Sequence, residues 1–248
     1  MPRGIAITEN FGDLLDARLR KIYDKEYGEN INESMIPMLF GMETSGRNYE
    51  IVSGIGGMAD IAEFDGTITY DSPSQLYDKT YSFPEKALGM KVERKLYDDD
   101  MFGIMDRRPW QMAVSVARTR EKSAAEVFNN AFTDTTLGAD GVAICSSSHP
   151  YSPDDASTQD NSGTTAFSAT AVEATRRLAH TSIYTDRGEL ANVNYDTILC
   201  TVANEEMAYQ IINSTGQVET ANNNRNFHQG RYKLAIWDRL TDSNNWLN

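Results

Sequence analysis

Cys145 and His149 are a cysteine and a histidine close together along the chain, the residue types of a thiol nucleophile and its base. A thiol hydrolase assembles those groups from distant segments and adds an orienting Asn or Asp. Here Ser146, Ser147 and Ser148 separate the two, Pro150 follows, and no nucleophile motif surrounds Cys145. The pair reads as a local turn on a polar loop, and a cytoplasmic cysteine hydrolase using Cys145 and His149 stands as the catalytic alternative. Adding Cys200 and His228 supplies zinc-ligand residue types without the paired spacing that zinc sites use. Asp98-Asp99-Asp100 lacks the alternating ligands, glycine and closing Glu of a calcium loop, and reads as solvated acids. Gly54-Ile55-Gly56-Gly57 has no following Lys-Ser/Thr, as a phosphate loop would, and suits a bend or bulge in a strand. Glu205 and Glu206 open a predicted helix, where negative charge favours the dipole. The expected catalytic, cofactor-binding and metal-binding residues are therefore none.

The elements around these residues say more. From Thr8 to about Tyr27, Phe11, Leu14, Leu15, Leu19, Ile22 and Tyr23 recur at helical spacing, and Gly28 is the expected stop. Such an amphipathic helix docks its apolar stripe either on its own core or on a neighbouring subunit. Residues 43–95 change character. Thr67 to Tyr70, Thr80 to Phe83 and Leu88 to Glu93 alternate as strands, with Asp71-Ser72-Pro73-Ser74 as a turn cluster. Little there builds a private core, so the segment reads as an extended β-hairpin that lies on something else. A long helix follows, with Pro109 at its first position, Trp110, Ala113, Val114, Ala117, Ala124, Val127 and Phe128 in phase, and an end near Phe132. At 1.5 Å per residue it is a rod of roughly 35 Å.

Thr133 to Phe167 is polar and poor in periodicity, a loop long enough to carry a function. An α/β pattern then resumes. Thr170 with Glu173 is a capping-box signature for a helix to about His180. Asp196 to Val202 reads as a buried strand, Ala203 to Ile212 as a helix, and Tyr232, Leu234 and Ile236 as a final strand.

Composition narrows the function classes. The chain has 248 residues, 40% hydrophobic and 24% charged, an ordinary globular balance able to bury a core. No apolar run approaches the roughly 20 residues of a membrane helix, and no apolar signal core follows Met1. Two cysteines do not make a disulfide framework, so a reducing compartment is the expectation. Lys+Arg total 23 against Asp+Glu 36, a net charge of −13, with no basic residue between Lys122 and Arg176. A protein that grips phosphates needs clustered cations, so sequence-specific nucleic-acid binding is not expected.

The order of parts resembles a known family. An N-terminal helix, a glycine-bearing β-excursion, a strand running into acids at Lys86 to Asp100, and a long helix come in sequence. Gly138-Ala139-Asp140-Gly141-Val142-Ala143-Ile144-Cys145-Ser146-Ser147-Ser148-His149-Pro150 follows, and Leu240-Thr241-Asp242-Ser243-Asn244-Asn245-Trp246 lies near the end. This set resembles tailed-phage major capsid proteins of the Hong Kong 97 fold, and within them the Mu-like prophage major head subunit group. The likeness spans roughly Thr8 to Leu247. Members of that group continue with further strands beyond the Trp, whereas this sequence ends at Asn248.

The resemblance implies an α+β fold with an N-terminal arm (1–46), an extended β-hairpin loop (47–86), a peripheral domain holding a strand and the spine helix (87–132), and a central α/β domain (133–248). It implies a self-assembling head protein of a phage virion, built in the host bacterial cytoplasm into an icosahedral shell around double-stranded DNA. Implied partners are copies of itself in hexamers and pentamers, scaffold, portal and decoration proteins, and packaged DNA met non-specifically; no membrane and no cofactor are implied. The expected assembly contacts are Phe11, Leu15, Leu19, Ile22, Tyr70, Tyr77 and Tyr81. Covalent cross-linking in such shells needs a loop lysine, a place that Lys79 or Lys86 suits; noncovalent assembly is the expectation. An encapsulin-like compartment for cargo protein shares the architecture and is the alternative of the same fold. A third reading, a soluble α/β ligand-binding domain, leaves the coreless excursion unexplained, since ordering it without a partner is costly.

Overall fold

Helix α1, Ala17–Asn32, carries its charge pairs on the surface, with Arg20 and Lys25 reaching Asp24 and Glu29 one turn on. In the computed structural model of the chain, the described residues are 17–32, 34–68, 70–90, 103–217 and 224–247. They fall into two compact units, Met1–Glu43 with Pro84–Ala124, and Thr44–Phe83 with Ala125–Asn248.

In the first unit, α1 does not stop at Gly28 as its sequence suggests. A mid-helix glycine costs about 1 kcal/mol against alanine. The turn around it is held by other contacts: Arg120 donates to the Tyr27 hydroxyl at 2.7 Å, Tyr27 stacks on Tyr23, and Asn30 donates to the Glu26 carbonyl at 2.8 Å. The expected start at Thr8 lies outside the described residues. A single turn, α2 (Ile36–Leu39), follows, with Ser34 bonded to Glu121 beside it. The long helix α3, Ile104–Asn129, has 26 residues, roughly 39 Å at 1.5 Å per residue. It starts five residues before Pro109, which is not the first helical position but sits in the second turn. There the ring removes one ladder bond, to Met105, close to the helix start, where tertiary packing compensates: Pro109 is buried, and so is Ala113 one turn later. Asp106 in the first turn favours the dipole. Ala125–Asn129 of α3 count with the second unit.

The second unit contains an antiparallel ribbon of β1 (Tyr49–Ile55) and β2 (Gln75–Ser82). The register runs from Tyr49 opposite Ser82 to Ser53 opposite Asp78, then shifts so that Ile55 faces Gln75. The extra residue is on β2, where Leu76 and Tyr77 together oppose the single Gly54, a bulge at the glycine-rich stretch where a bend or bulge is expected. A Cβ at Gly54 would meet the Leu76 Cβ at 2.8 Å, closer than carbon atoms pack. The expected strand at Thr67 to Tyr70 is absent among its described residues, because Tyr49–Ile55 is the partner that β2 takes. Leu88 to Met90 are irregular, and the rest of that expected strand, with Asp98 to Asp100, lies outside the described residues.

The core of this unit is built on a three-stranded mixed sheet. Central β5 (Thr197–Cys200) runs parallel to β6 (Lys233–Ile236) and antiparallel to β7 (Trp246–Leu247). A parallel pair needs a crossover, supplied by a 3₁₀ turn at Val202–Asn204 and helix α5, Glu205–Asn213, whose first turn holds Glu205 and Glu206 as expected. Helix α4, Ala169–Thr181, is capped by Ser168, whose side chain accepts from the Ala171 amide at 3.1 Å. The cap is thus two residues before the expected Thr170, because Ser168 is the extended residue whose hydroxyl reaches a first-turn amide, and Glu173 is committed to arginines on its own helix. Val172, Ile198, Ile211, Ile212 and Tyr232 form the buried cluster, with Phe167, Leu234 and Trp246 packed against it. Between the long helix and α4, the polar stretch holds only the two-residue pair β3 (His149–Pro150) and β4 (Thr158–Gln159). Among the described residues no helix is long and apolar enough to cross a membrane.

Candidate assembly surface

The ribbon and its connecting loop expose an unusual set of side chains. Met58 (68%), Ile61 (101%), Phe64 (71%), Ile68 (64%) and Tyr70 (88%) all face solvent between β1 and β2. Tyr49, Ile51, Val52, Ile55 and Tyr81 extend the exposure along the strands. A single exposed apolar residue means nothing, but a concentration within one segment marks an interaction surface. A two-stranded ribbon is marginal in isolation, so its anchorage matters.

Two anchors hold it inside the second unit. On β2, Lys79 donates to the carbonyls of Thr136 and Gly138, the latter at 3.2 Å. Beyond the strands, both Asp186 carboxylate oxygens accept from the Gly57 amide, at 3.2 and 3.1 Å. Arg187 donates through Nε to the Gly57 carbonyl at 3.1 Å and through its terminal nitrogen to Asp71 at 3.1 Å. Asp71 in turn accepts from the Ala59 amide at 2.8 Å. The Ala59 amide foremost, with the Arg187 charge helping, holds the Asp71 carboxyl below the usual carboxylate range.

Of the expected contact residues, Tyr70 and Tyr81 are exposed on this segment. Tyr77 is half-buried, and its phenol is pushed up by desolvation and then by the charges of Asp140 and Asp154. Leu19 and Ile22 are half-buried on α1, in the other unit. Phe11 and Leu15 lie outside the described residues. Of the two candidate lysines, Lys79 is committed to the carbonyls above and Lys86 donates to the Ser123 hydroxyl at 2.5 Å. Sequence reading missed Asp71, Asp186 and Arg187; the only local signal was an Asp-Arg-Gly turn, and nothing in it points across 116 positions to Asp71.

The catalytic alternative meets an obstacle in its own geometry. His149 Nδ1 lies 2.6 Å from Asp140 Oδ2, and Nε2 lies 3.0 Å from the Ile144 carbonyl oxygen. Both ring nitrogens face acceptors, so neither is turned to a thiol as a base. Burial pushes the Cys145 thiol up, the opposite of what an activated nucleophile requires. The His149–Asp140 pair instead closes the turn carrying Ser146 to Ser148, the local role the sequence suggests. Cys200 is fully buried, its thiol raised to about 11 by desolvation. Among the described residues no group of Cys, His, Asp and Glu is arranged to hold a metal ion, so Cys145, His149, Cys200 and His228 are not gathered into one site.

A second polar feature is a cleft of about 630 Å³ between α4 and residues 226–228. Glu173, Arg176 and Arg177 line one side, Phe227 and His228 the other. The Arg231 guanidinium sits 3.8 Å from the Phe227 ring centroid and that of Arg176 sits 5.0 Å away. Desolvation, against the pull of Glu173, lowers the pKa of His228.

The comparisons with known proteins place these surfaces in context. A family model described as phage capsid protein matches residues 78–247. No curated protein matches the sequence. Among solved structures, a chain from the capsid of bacteriophage JBD30 decorated with minor capsid protein trimers is similar with a TM-score of 0.62. The likeness covers 79% of this chain and 87% of that one at 11% identity, and is therefore a likeness of fold.

Proposed function

The chain belongs to the phage capsid protein family, as a major capsid protein that forms the shell, and on that premise we propose that its β1–β2 ribbon and loop dock on a second copy during assembly. The observation that carries this reading is the row of exposed apolar residues from Met58 to Tyr70 on a segment too thin to bury them itself. Tyr70, Tyr77 and Tyr81 contribute to that contact in this reading, with Leu19 and Ile22 on the arm helix and Phe11 and Leu15 before it.

The finer identity we propose is the Hong Kong 97 fold in its Mu-like form, with arm 1–46, extended loop 47–86, peripheral domain 87–132 and central domain 133–248. Its support is the ordered set of sequence segments together with the mixed helix–strand likeness to a capsid chain. The shell would be built from hexamers and pentamers of this chain in the bacterial cytoplasm, with scaffold, portal and decoration proteins as partners. The enclosed genome would be double-stranded DNA, which an acidic wall holds without adhesion. Assembly would be noncovalent.

The test is electron microscopy of purified protein with light scattering on the same sample, scaffold being supplied. Wild-type protein is expected to form closed particles or rings of five or six, and the Ile61→Asp/Phe64→Asp variant to remain dispersed while folding normally. Wild-type protein that stays monomeric throughout would overturn the assembly reading. A variant that assembles like wild type would overturn the role of the loop.

A further inference from the structure

The 185–189 turn is a rigid platform far along the sequence from the ribbon. The Thr185 amide donates to the Glu189 carbonyl at 2.7 Å, the Gly188 amide donates to the Thr185 carbonyl at 3.0 Å, and Tyr184 pairs with Leu190. Gly188 takes a φ of +77°, where a side chain would be strained. From this turn Asp186 and Arg187 reach both sides of the loop's neck. Asp186 and Arg187 together take the amide and the carbonyl of Gly57, while Arg187 alone takes Asp71 and, at 3.4 Å, the Ser72 carbonyl. The neck also closes on itself, with the Gly56 amide donating to the Ser74 carbonyl at 2.8 Å and the Ala59 amide to Asp71.

The fit leaves no room for a side chain at the centre. A Cβ on Gly56 would lie 2.6 Å from Asp186 Oδ2 and 2.6 Å from the Ser74 hydroxyl. Such closeness is unnecessary for a loop that merely dangles. The clasp could in principle hide the loop or present it, and exposure decides between them. The residues beyond the neck, Met58, Ile61, Phe64, Ile68 and Tyr70, remain open to solvent while the clasp is closed.

We propose that Asp186 and Arg187, gripping Gly57 and Asp71, form a clasp that fixes the direction in which the 58–70 loop leaves the subunit, holding it ready for a second copy. This rests on the reading that the loop docks on another copy. Asp71, Asp186 and Arg187 are positioning residues: they leave the apolar contact itself to the loop and reduce the orientations it must search. A loop freed from the clasp keeps its apolar residues but presents them correctly in only a fraction of subunits, and apparent affinity falls by that fraction.

The experiment uses the full chain carrying Arg187→Gln, Asp71→Asn, both together, or Gly56→Ala, which opens the neck sterically and leaves every charge in place. Hydrogen exchange at the Gly57 and Ala59 amides reads the clasp in dispersed subunits, and electron microscopy reads shell yield with scaffold supplied. Each single variant is expected to speed exchange at those amides by about tenfold and to lower shell yield about fivefold. The double variant should do no worse than the poorer single one, since the two side chains act as one unit. Equal shell yield from subunits whose neck exchanges fast would overturn the proposal while leaving loop docking intact. Unchanged exchange in all variants would overturn it too, by showing that the clasp does not hold the neck. Wild-type protein that forms no shells would bring down the docking reading itself, a different failure from either of these.

Discussion

Glu173 accepts a two-pronged pair of bonds from Arg176, both at 2.9 Å, and a third at 2.9 Å from Arg177. The Arg176 bonds foremost pull its carboxyl down to about 2 from an ordinary value of 4.5. A depressed acid stabilises the fold above its unfolded pKa and loses that contribution as pH falls through the folded one. Glu173→Gln should therefore cost about 1–2 kcal/mol near neutral pH, a drop in thermal midpoint of about 3–6 °C for a unit of this size. The gap from wild type should close between about pH 4.5 and pH 2. Melting curves across that range check it, and an equal midpoint at neutral pH would refute the role given to the pair. The thiols make a second prediction at this scale. Burial raises both Cys145 and Cys200, so a disulfide reagent at pH 8 should label the folded chain at least about tenfold more slowly than free cysteine. Cys145→Ala should leave shell formation unchanged. Rapid labelling of Cys145 would restore it as a nucleophile.

At the scale of elements, the strongest load falls on β5, which has a strand on each side and helices packed against it. Ile198 is fully buried in the cluster with Val172 and Ile211. Ile198→Ala should cost about 2–5 kcal/mol through lost transfer energy and a residual cavity, measured by denaturant unfolding. A cost below 1 kcal/mol would mean that the site collapses around the smaller side chain. This part of the fold was legible because its signals are local: a buried apolar run at Ile198, Leu199 and Cys200, an acidic helix start at Glu205, alternation at Tyr232, Leu234 and Ile236. Boundaries were less legible, because other contacts overrode a local rule, tertiary ones at Gly28 and Pro109 and neighbours on the same helix at Glu173. Arg120 on Tyr27 helps carry α1 past Gly28, buried packing at Pro109 and Ala113 lets α3 start early, and Glu173 is taken by arginines instead of completing a capping box. The ribbon was legible as a coreless excursion and the glycine-rich stretch at Gly54 as the place of a bulge, but its first strand was placed too late. Alternation at Thr67 to Tyr70 is as good as that at Tyr49–Ile55, and pairing with β2 chooses between them. The clasp was invisible, since no sequence pattern joins Asp71 to Arg187.

For the whole molecule, charge and apolar surface pull assembly in opposite directions. Each copy carries −13, so copies brought into a shell repel one another wherever their surfaces approach. In the proposed docking, the exposed apolar loop would draw them together through a force that simple salt does not screen away. Salt also weakens the clasp, whose Arg187 and Asp71 side chains are about one-third exposed (33% and 31%). Magnitudes decide which effect dominates. An exposed ion pair is worth about 0–1 kcal/mol, once per subunit, whereas repulsion acts at every contact between copies. The screening length is about 30 Å in 10 mM salt and about 8 Å at 150 mM, so the added salt silences all but the nearest charges between neighbours. Shell yield from purified subunits should therefore rise across that interval and then level off, as light scattering at fixed protein concentration would read. The same charge should keep the shell wall from gripping its contents, so dispersed subunits should pass a DNA column unretained at 150 mM salt. A yield that falls steadily as salt is added would mean that ion pairs between copies hold the shell, and that the apolar loop is secondary.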